Sequence, residues 1–300
     1  MREKRMTGTI IKNISSFYYV DVENKTYVCK VRGKLKNKKL IPFVGDKVDI
    51  EITDDYKNEG VIEKIRDRKN FLIRPNISNI DAVVLFFSVK EPDADFYLTD
   101  RFIIQAEYCN LDIILCFSKI DLSEEIAEKM TSVYRGVGYP VYEMSIYDEE
   151  KIHDLKEVLK NKTTVISGPS GAGKSSFIKK LRPDLDIKTD EISQKIGRGK
   201  NTTRHTELVK IDKNTWIADT PGFYSLNTDI KAEELKNYFI EFNEYAPDCK
   251  FIKDCVHINE PDCEVKKAVE NGFISRERYL NYLSLYNELI LKEKRNKRHD

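Results

Sequence analysis

The sequence predicts an α/β fold: a doubly wound parallel sheet carrying a phosphate loop, with a small β-barrel ahead of it and a metal-binding helical region behind. Three observations predict this. Four apolar runs, IDAVVLFFSV, LDIILCF, TTVIS and TWIADT, are strand-like and alternate with helical stretches such as LTDRFIIQAEY and SEEIAEKMTSVYRG. Short β-rich runs, SFYYVDV, KTYVCKV, DKVDIEI and GVIEKI, recur between turn residues before them. Three cysteines and a histidine gather late in the chain, at Cys249, Cys255, His257 and Cys263. A chain of 300 residues has room for two or three domains, placed at 1–70, 71–226 and 227–300.

The first segment is basic. Residues 1–70 hold 17 Lys/Arg against 11 Asp/Glu, about six positive charges in excess, while the rest of the chain is net acidic. In CKVRGKLKNKKL the residues Lys30, Arg32, Lys34, Lys36, Lys38 and Lys39 follow one another with no acid between them. The alternation from Tyr27 to Arg32 reads as a strand with one solvated face. Such a run is a candidate RNA contact, or else a solvated edge strand that lysines protect from pairing. Phe17, Tyr18, Tyr19 and Tyr27 offer stacking faces to bases, unless half of them belong to the barrel core. The start, MREKRMTGTI, lacks an apolar signal core and no run reaches membrane-spanning length, so a cytoplasmic location is expected. The six cysteines are then expected to be free thiols and metal ligands.

The central segment carries the chemistry. GPSGAGKSS, from Gly168 to Ser176, follows the strand-like Thr163–Ser167 and opens a helical stretch. That strand–loop–helix setting marks a phosphate loop. Gly168, Pro169, Ser170, Gly171, Ala172 and Gly173 bring backbone N–H groups onto phosphate oxygens at a helix N-terminus, where the dipole favours negative charge. Lys174 is expected on the β- and γ-phosphates, and the Ser175 hydroxyl on Mg²⁺, with Ser176 beside it. The chain is therefore expected to bind a nucleoside phosphate.

Two further motifs say which one. Asp219-Thr220-Pro221-Gly222 ends the strand-like TWIA, placing Asp219 to hold Mg²⁺ through water and the Gly222 N–H to sense a γ-phosphate. Ser118-Lys119-Ile120-Asp121 follows LDIILCF. A carboxylate at Asp121 can accept from the ring N–H and exocyclic amine of guanine, a pair that adenine does not offer, while the Lys119 stem lies over the base. All three motifs fall at the carboxyl ends of strands, where ligands sit in such sheets.

Ordinary GTPases place the guanine-reading motif after DTPG; here it precedes the phosphate loop. With this order, with VGDKV (Val44 to Val48) and RPNISNID (Arg74 to Asp81), and with the C-terminal Cys/His cluster, essentially the whole chain resembles the circularly permuted, ribosome small-subunit-dependent GTPases. The resemblance implies a circularly permuted P-loop GTPase domain between an N-terminal OB-fold barrel and a C-terminal zinc-binding helical domain. It implies GTP hydrolysis with Mg²⁺ during late maturation or quality control of the small subunit, with that subunit and its 16S rRNA as partners and the chain as a monomer. A backbone approach of Ser145 to guanine is also implied, although an ordinary strand-end turn explains VYEMSIYD equally well.

The segment IGRGKNTTRHTELV, Ile196 to Val209, resembles the family's switch, and Thr202 or Thr203 takes the metal-binding position. The residue after Gly222 is Phe223, which has no polar atom to position a water. The family's switch histidine is replaced by Asn201, which can orient a water but not take its proton; His205 is a possible substitute. Turnover by the chain alone is expected to be slow, and faster once a macromolecular partner orders this loop. Ser118 stands where Asn or Thr is commoner, and its short hydroxyl is expected to lose an orienting contact.

Cys249, Cys255, His257 and Cys263 form a closed set for one structural Zn²⁺, in a loop with too little apolar content to order itself. The first spacing has five intervening residues where the family usually shows four. Helical stretches follow, ending in Lys292, Lys294, Arg295, Lys297 and Arg298, which suit either a solvated helix end or an rRNA contact. Two other functions stay open at this point. GPSGAGKSS also resembles the phosphate loop of guanylate kinases, although those begin near that loop and here 167 residues precede it. A non-catalytic RNA-binding scaffold is the other.

Overall fold

The computed structural model describes residues 5–37, 41–73, 76–184, 207–219, 230–252 and 254–296. Its contacts group into two compact units, one of residues 1–84, 149–170 and 174–223, the other of residues 85–148, 171–173 and 224–300.

The first unit opens with strands β1 (Arg5–Ile14), β2 (Phe17–Val22), β3 (Lys25–Val31), β4 (Lys47–Asp54) and β5 (Glu59–Ile65), closed into a barrel in the order β1-β2-β3-β5-β4. Neighbours are antiparallel except β3 and β5, which run parallel. Alternation sends Val20, Val22, Cys29, Val48, Ile50 and Ile62 inward. Tyr18 and Tyr27 also face the core, whereas Phe17 is 40% exposed and Tyr19 half-buried, so two of the four aromatics remain on the surface. The basic run is not one edge strand. β3 stops at Val31, and Gly33–Asn37 forms a short helix, α1. The alternation ends there because, within Gly33–Asn37, Leu35 is the one apolar side chain, and it is buried.

VGDKV and RPNISNID come together as a structural knot. Gly45 has φ +90°, and a Cβ there would lie 2.2 Å from the Ser78 carbonyl oxygen, a space only glycine leaves. The fully buried Asp46 carboxylate accepts from the Phe43 N–H (2.8 Å), the Ser78 hydroxyl (2.6 Å) and the Arg68 guanidinium (2.7 Å). A short ribbon, β6 (Phe71–Ile73) with β7 (Asn76–Ser78), presents Ser78. Asp81 then accepts from the Thr163 N–H at 2.8 Å, at the foot of the strand that leads into the phosphate loop.

A six-stranded sheet has the order β10-β9-β8-β11-β13-β12, and β8 (Ala82–Ser88) belongs to both units. In the first unit β11 (Thr163–Ser167) runs parallel to β13 (Trp216–Asp219), with helix α4 (Glu149–Val158) before β11 in the chain and α5 (Lys174–Leu181) after it. The edge departs from the expected all-parallel sheet: β12 (Leu208–Lys210) is antiparallel to β13. Residues 211–215 join them, too short a connection for a parallel crossover.

In the second unit β9 (Asp112–Ser118) pairs in parallel with β10 (Val141–Met144), Ser118 opposite Met144. Helix α2 (Phe96–Tyr108) starts where the Asp95 side chain accepts from the Leu98 N–H, and α3 (Glu124–Val137) where Ser123 accepts from Ile126. The C-terminal part is built from three 3-10 turns between Ala232 and Asp248, then helices α6 (Glu264–Glu270) and α7 (Arg276–Asn296). Leu235, Phe239, Phe242, Tyr282 and Leu285 form its core. Among the described residues no helix is long and apolar enough to cross a membrane.

Candidate functional site

The turn between β11 and α5 has the backbone a phosphate cradle needs. Gly168, Gly171 and Gly173 have φ of 141°, 80° and 88°. Ala172 is buried, while Pro169 and Ser170 form the outer part of the turn. Lys174, Ser175 and Ser176 are the first three residues of α5, all half-buried. The Lys174 ammonium donates to the Gly168 and Pro169 carbonyls at 2.8 and 2.7 Å, so it is held over the turn. Asp219 ends β13 in register with Ile166, level with the strand that feeds the turn.

Ser118 joins the Ser118–Asp121 segment to this turn. Its buried hydroxyl donates to the Ala172 carbonyl at 2.7 Å. The sequence expectation is that this short side chain loses one orienting contact; the contact it makes is on the phosphate loop itself. Lys119 follows in a left-handed conformation, φ 58°, and its ammonium donates to the Glu91 carbonyl. Asp121 lies in the exposed turn Ile120–Leu122. Ser145 follows β10, so it adjoins the end of β9; its hydroxyl accepts from the Tyr147 N–H at 3.3 Å, as in an ordinary strand-end turn. Asn201, Thr202, Thr203, His205 and Gly222 lie outside the described residues, as do Lys38 and Lys39. In the barrel, Lys30 lies 5.1 Å from the Phe17 ring centroid, Arg32 pairs with Glu51 and Glu63, and Lys34 is exposed on α1, where Lys36 also sits.

The Cys/His cluster is compact and dry. The ligand atoms of Cys249, Cys255, His257 and Cys263 all lie within 4.8 Å of one another, and each residue is at most 2% exposed. Cys249 and Cys255 sulfurs are each 3.8 Å from that of Cys263, and His257 Nδ1 is 3.7, 3.3 and 3.4 Å from Cys249, Cys255 and Cys263. A tetrahedron with metal–sulfur bonds of about 2.3 Å has sulfur–sulfur edges of about 3.8 Å. The four residues thus fit a metal ion, and the longer first spacing does not stop the loop from closing. Burial, helped by Lys236, pushes His257 down to about 4, which keeps its imidazole neutral and able to ligate. Burial pushes the Cys255 thiol up to about 12, so without a cation this thiol keeps its proton.

Several participants carry no sequence signal. Glu91 contributes only a carbonyl, which any residue type could supply. The metal loop is held by Tyr279 donating to the His257 carbonyl (2.7 Å), Tyr282 to the Val256 carbonyl (2.5 Å) and Lys236 to the Cys255 carbonyl (2.9 Å). Glu260 accepts from the Val256 and Ile258 N–H groups, each at 2.8 Å. Tyrosines in an amphipathic helix read simply as core.

A glycine-rich turn between β11 and α5, hydrogen-bonded to the Ser118–Asp121 segment that precedes it in sequence, has the order of a circularly permuted P-loop GTPase. The family described as RsgA GTPase matches residues 65–229, and its RsgA N-terminal domain matches residues 7–62. A relative from Alkaliphilus metalliredigens, named small ribosomal subunit biogenesis GTPase RsgA, is 46% identical over 97% of this chain and 99% of its own. One of the same name from Bacillus cereus is 45% identical over 94% and 97%. The crystal structure of YjeQ from Thermotoga maritima superposes with a TM-score of 0.81 at 36% identity, covering 96% of this chain and 99% of that one. YloQ, a circularly permuted GTPase, gives 0.79 at 36% identity, covering 96% of each. The chain belongs to the RsgA GTPase family.

Proposed function

We propose that this protein hydrolyses GTP in the biogenesis of the small ribosomal subunit, docking there through RNA-contacting surfaces and turning over faster once bound. The observation that carries the reading is the Ser118–Ala172 hydrogen bond, which seats the base-reading motif on the phosphate turn. In this reading Asp121 selects guanine, and Ser145 adjoins the base. The N–H groups of residues 168–176 hold the phosphates, and Lys174 exchanges the Gly168 and Pro169 carbonyls for phosphate oxygens. The carbonyl contacts of its ammonium support that exchange, since a phosphate oxygen is a more strongly charged acceptor than a carbonyl.

Magnesium would be held by Ser175 and by Thr202 or Thr203, with Asp219 through water, and would neutralise charge on the transferred phosphoryl group. The Gly222 N–H senses that group. Asn201 orients the attacking water, with His205 as the second choice, because Phe223 has nothing polar to offer. Zinc is the cation proposed for the Cys249, Cys255, His257 and Cys263 cluster. Three thiolates and one imidazole at tetrahedral spacing leave no open position, so the ion is structural.

Residues 1–70, 71–226 and 227–300 act as barrel, GTPase and zinc domains. Lys30, Arg32, Lys34, Lys36, Lys38 and Lys39 contact 16S rRNA, supported by the positive excess of this segment. The protein works as a cytoplasmic monomer. Phosphate release from GTP and ATP, titrated with purified small subunits, tests the whole reading. GTP-selective turnover stimulated at least tenfold is expected; fast, subunit-insensitive turnover would overturn it. A guanylate-type kinase would instead phosphorylate GMP, and a scaffold would release no phosphate.

A further inference from the structure

We propose that the segment Ser88–Asp95, which leaves the end of β8, is a positioning element for base recognition, with Ser88 as the residue that fixes it. The proposal rests on reading Ser118–Asp121 as the guanine-selecting motif. Three contacts tie this segment to the site. The Glu91 carbonyl accepts from the Lys119 ammonium. Pro92 Cδ lies only 3.0 Å from where a Cβ on Gly171 would stand, so the proline ring backs the phosphate turn at one of its three glycines. The Val89 N–H donates to the Ser118 carbonyl at 3.0 Å, beside the Ser118 hydroxyl that holds Ala172.

The segment is itself braced. The buried Ser88 hydroxyl donates to the Pro92 carbonyl at 2.7 Å, Ala94 N–H donates to the Val89 carbonyl at 3.3 Å, and Asp95 caps α2. Ser88 therefore closes a small loop whose tip carries the Glu91 carbonyl. Both Glu91 and Lys119 take left-handed backbone, φ 57° and 58°, although neither is glycine. Such conformations persist where the surroundings enforce them, commonly at ligand sites. Here they aim an acceptor and a donor at each other.

The chemical consequence is preorganisation. A lysine stem is flexible, and a base that had to order it would lose that entropy on binding. With its ammonium anchored on Glu91, Lys119 presents its methylenes as a fixed surface for the purine. The same segment, through Pro92, packs against Gly171 of the phosphate turn. Ser88 acts through Lys119 and never touches the nucleotide.

The test compares ligands with and without a base on the full-length protein. Ser88→Ala is expected to weaken GDP binding by about tenfold, the size of one charge-assisted hydrogen bond. Competition by inorganic tripolyphosphate should stay within about twofold, because that ligand uses only the turn. KM for GTP should rise while kcat holds. Lys119→Met should lose about as much as Ser88→Ala, and the double variant no more than Lys119→Met alone. Ser88→Thr should restore binding. If Ser88→Ala does not fold, Ser88→Cys, near-isosteric and a weaker donor, takes its place in the cycle. Unchanged GDP affinity, additive losses, or an equal loss for tripolyphosphate would overturn the proposal. An unaltered base ranking in Asp121→Asn would instead overturn the reading beneath it.

Discussion

Arg278 of α7 and Asp100 of α2 form an ion pair with side chains 1% and 0% exposed. The same guanidinium is bidentate to Glu241 at 2.5 and 3.0 Å, and stacks over Phe239 with 5.0 Å to the ring centroid. Asp100 also accepts from Asn281 (2.6 Å) and Tyr134 (3.0 Å). The network fastens the C-terminal helix to a helix of the GTPase sheet through groups that are mutually satisfied. Tyr97 and Arg101 extend the seam by binding Glu288.

Removing one partner leaves the others buried and uncompensated. Arg278→Met is expected to cost about 3–5 kcal/mol, seen as a lowered midpoint in thermal unfolding. Replacing all three charges, as Arg278→Met, Asp100→Leu and Glu241→Met, should cost less than the single change, because no orphaned charge remains. A triple variant worse than the single would show that the network contributes net stability rather than only mutual satisfaction.

The zinc reading predicts one equivalent of metal per chain by elemental analysis, lost in Cys255→Ser. Chelation should unfold the 249–263 loop, visible as faster backbone hydrogen exchange there. Glu260→Ala should retain metal less well and cost about 1–2 kcal/mol, because two loop N–H groups lose their acceptor. The sign of its pH dependence follows from its environment. Burial pushes the Glu260 carboxyl up, but the backbone N–H groups of the loop outweigh this and hold it below its ordinary 4.5. Its contribution is therefore complete above that value and is lost as pH falls below it. Metal release that is insensitive to Glu260→Ala at pH 7 would contradict this account.

Gly45→Ala tests the knot between barrel and ribbon. The new methyl would collide with the Ser78 carbonyl oxygen at 2.2 Å, at a φ of +90° that disfavours any side chain. A loss of more than about 2 kcal/mol is expected, with GTP affinity of the folded fraction unchanged. A neutral substitution would mean that the knot relaxes easily.

How much of this was legible beforehand depended on whether chemistry or mere geometry chose the residue. The glycine turn and the Cys/His cluster were readable because glycine, thiol and imidazole are each required for those geometries. Arg278 was not: one arginine on a polar helix reads as solvated, and only the tertiary fold brings Asp100 and Glu241 to it. The strand β12 was missed because three residues carry no periodicity. The strand read from the alternation of Tyr27 to Arg32 is β3, Lys25–Val31, whereas the alternative of one edge strand along the basic run fails at Gly33–Asn37, which is helical. Glu91 left no trace at all, since its contribution is a backbone oxygen.

Base selection gives a direct test of the permuted site. Asp121→Asn should reverse the preference of GTP over xanthosine triphosphate, because the amide can donate to the xanthine oxygen where the carboxylate accepts from the guanine amine. Competition of both nucleotides against labelled GDP measures this. An unchanged ranking would remove Asp121 from the pocket.

The group that positions water is decided by comparing Asn201 with His205. Phe223 leaves the usual position without a polar atom, so in the proposed reading an amide or imidazole of Ile196 to Val209 holds the nucleophile. An amide can hydrogen-bond a water without accepting its proton, which suits a reaction whose catalysis rests on placement and charge stabilisation. Asn201→Ala is therefore expected to lower subunit-stimulated kcat by about tenfold or more, with KM within about twofold. His205→Ala should change kcat by less than about threefold and leave the pH profile between 6 and 8 flat. A reversed order of sensitivity, with a rate that falls as pH drops through about 6.5, would assign the role to His205 acting as a base.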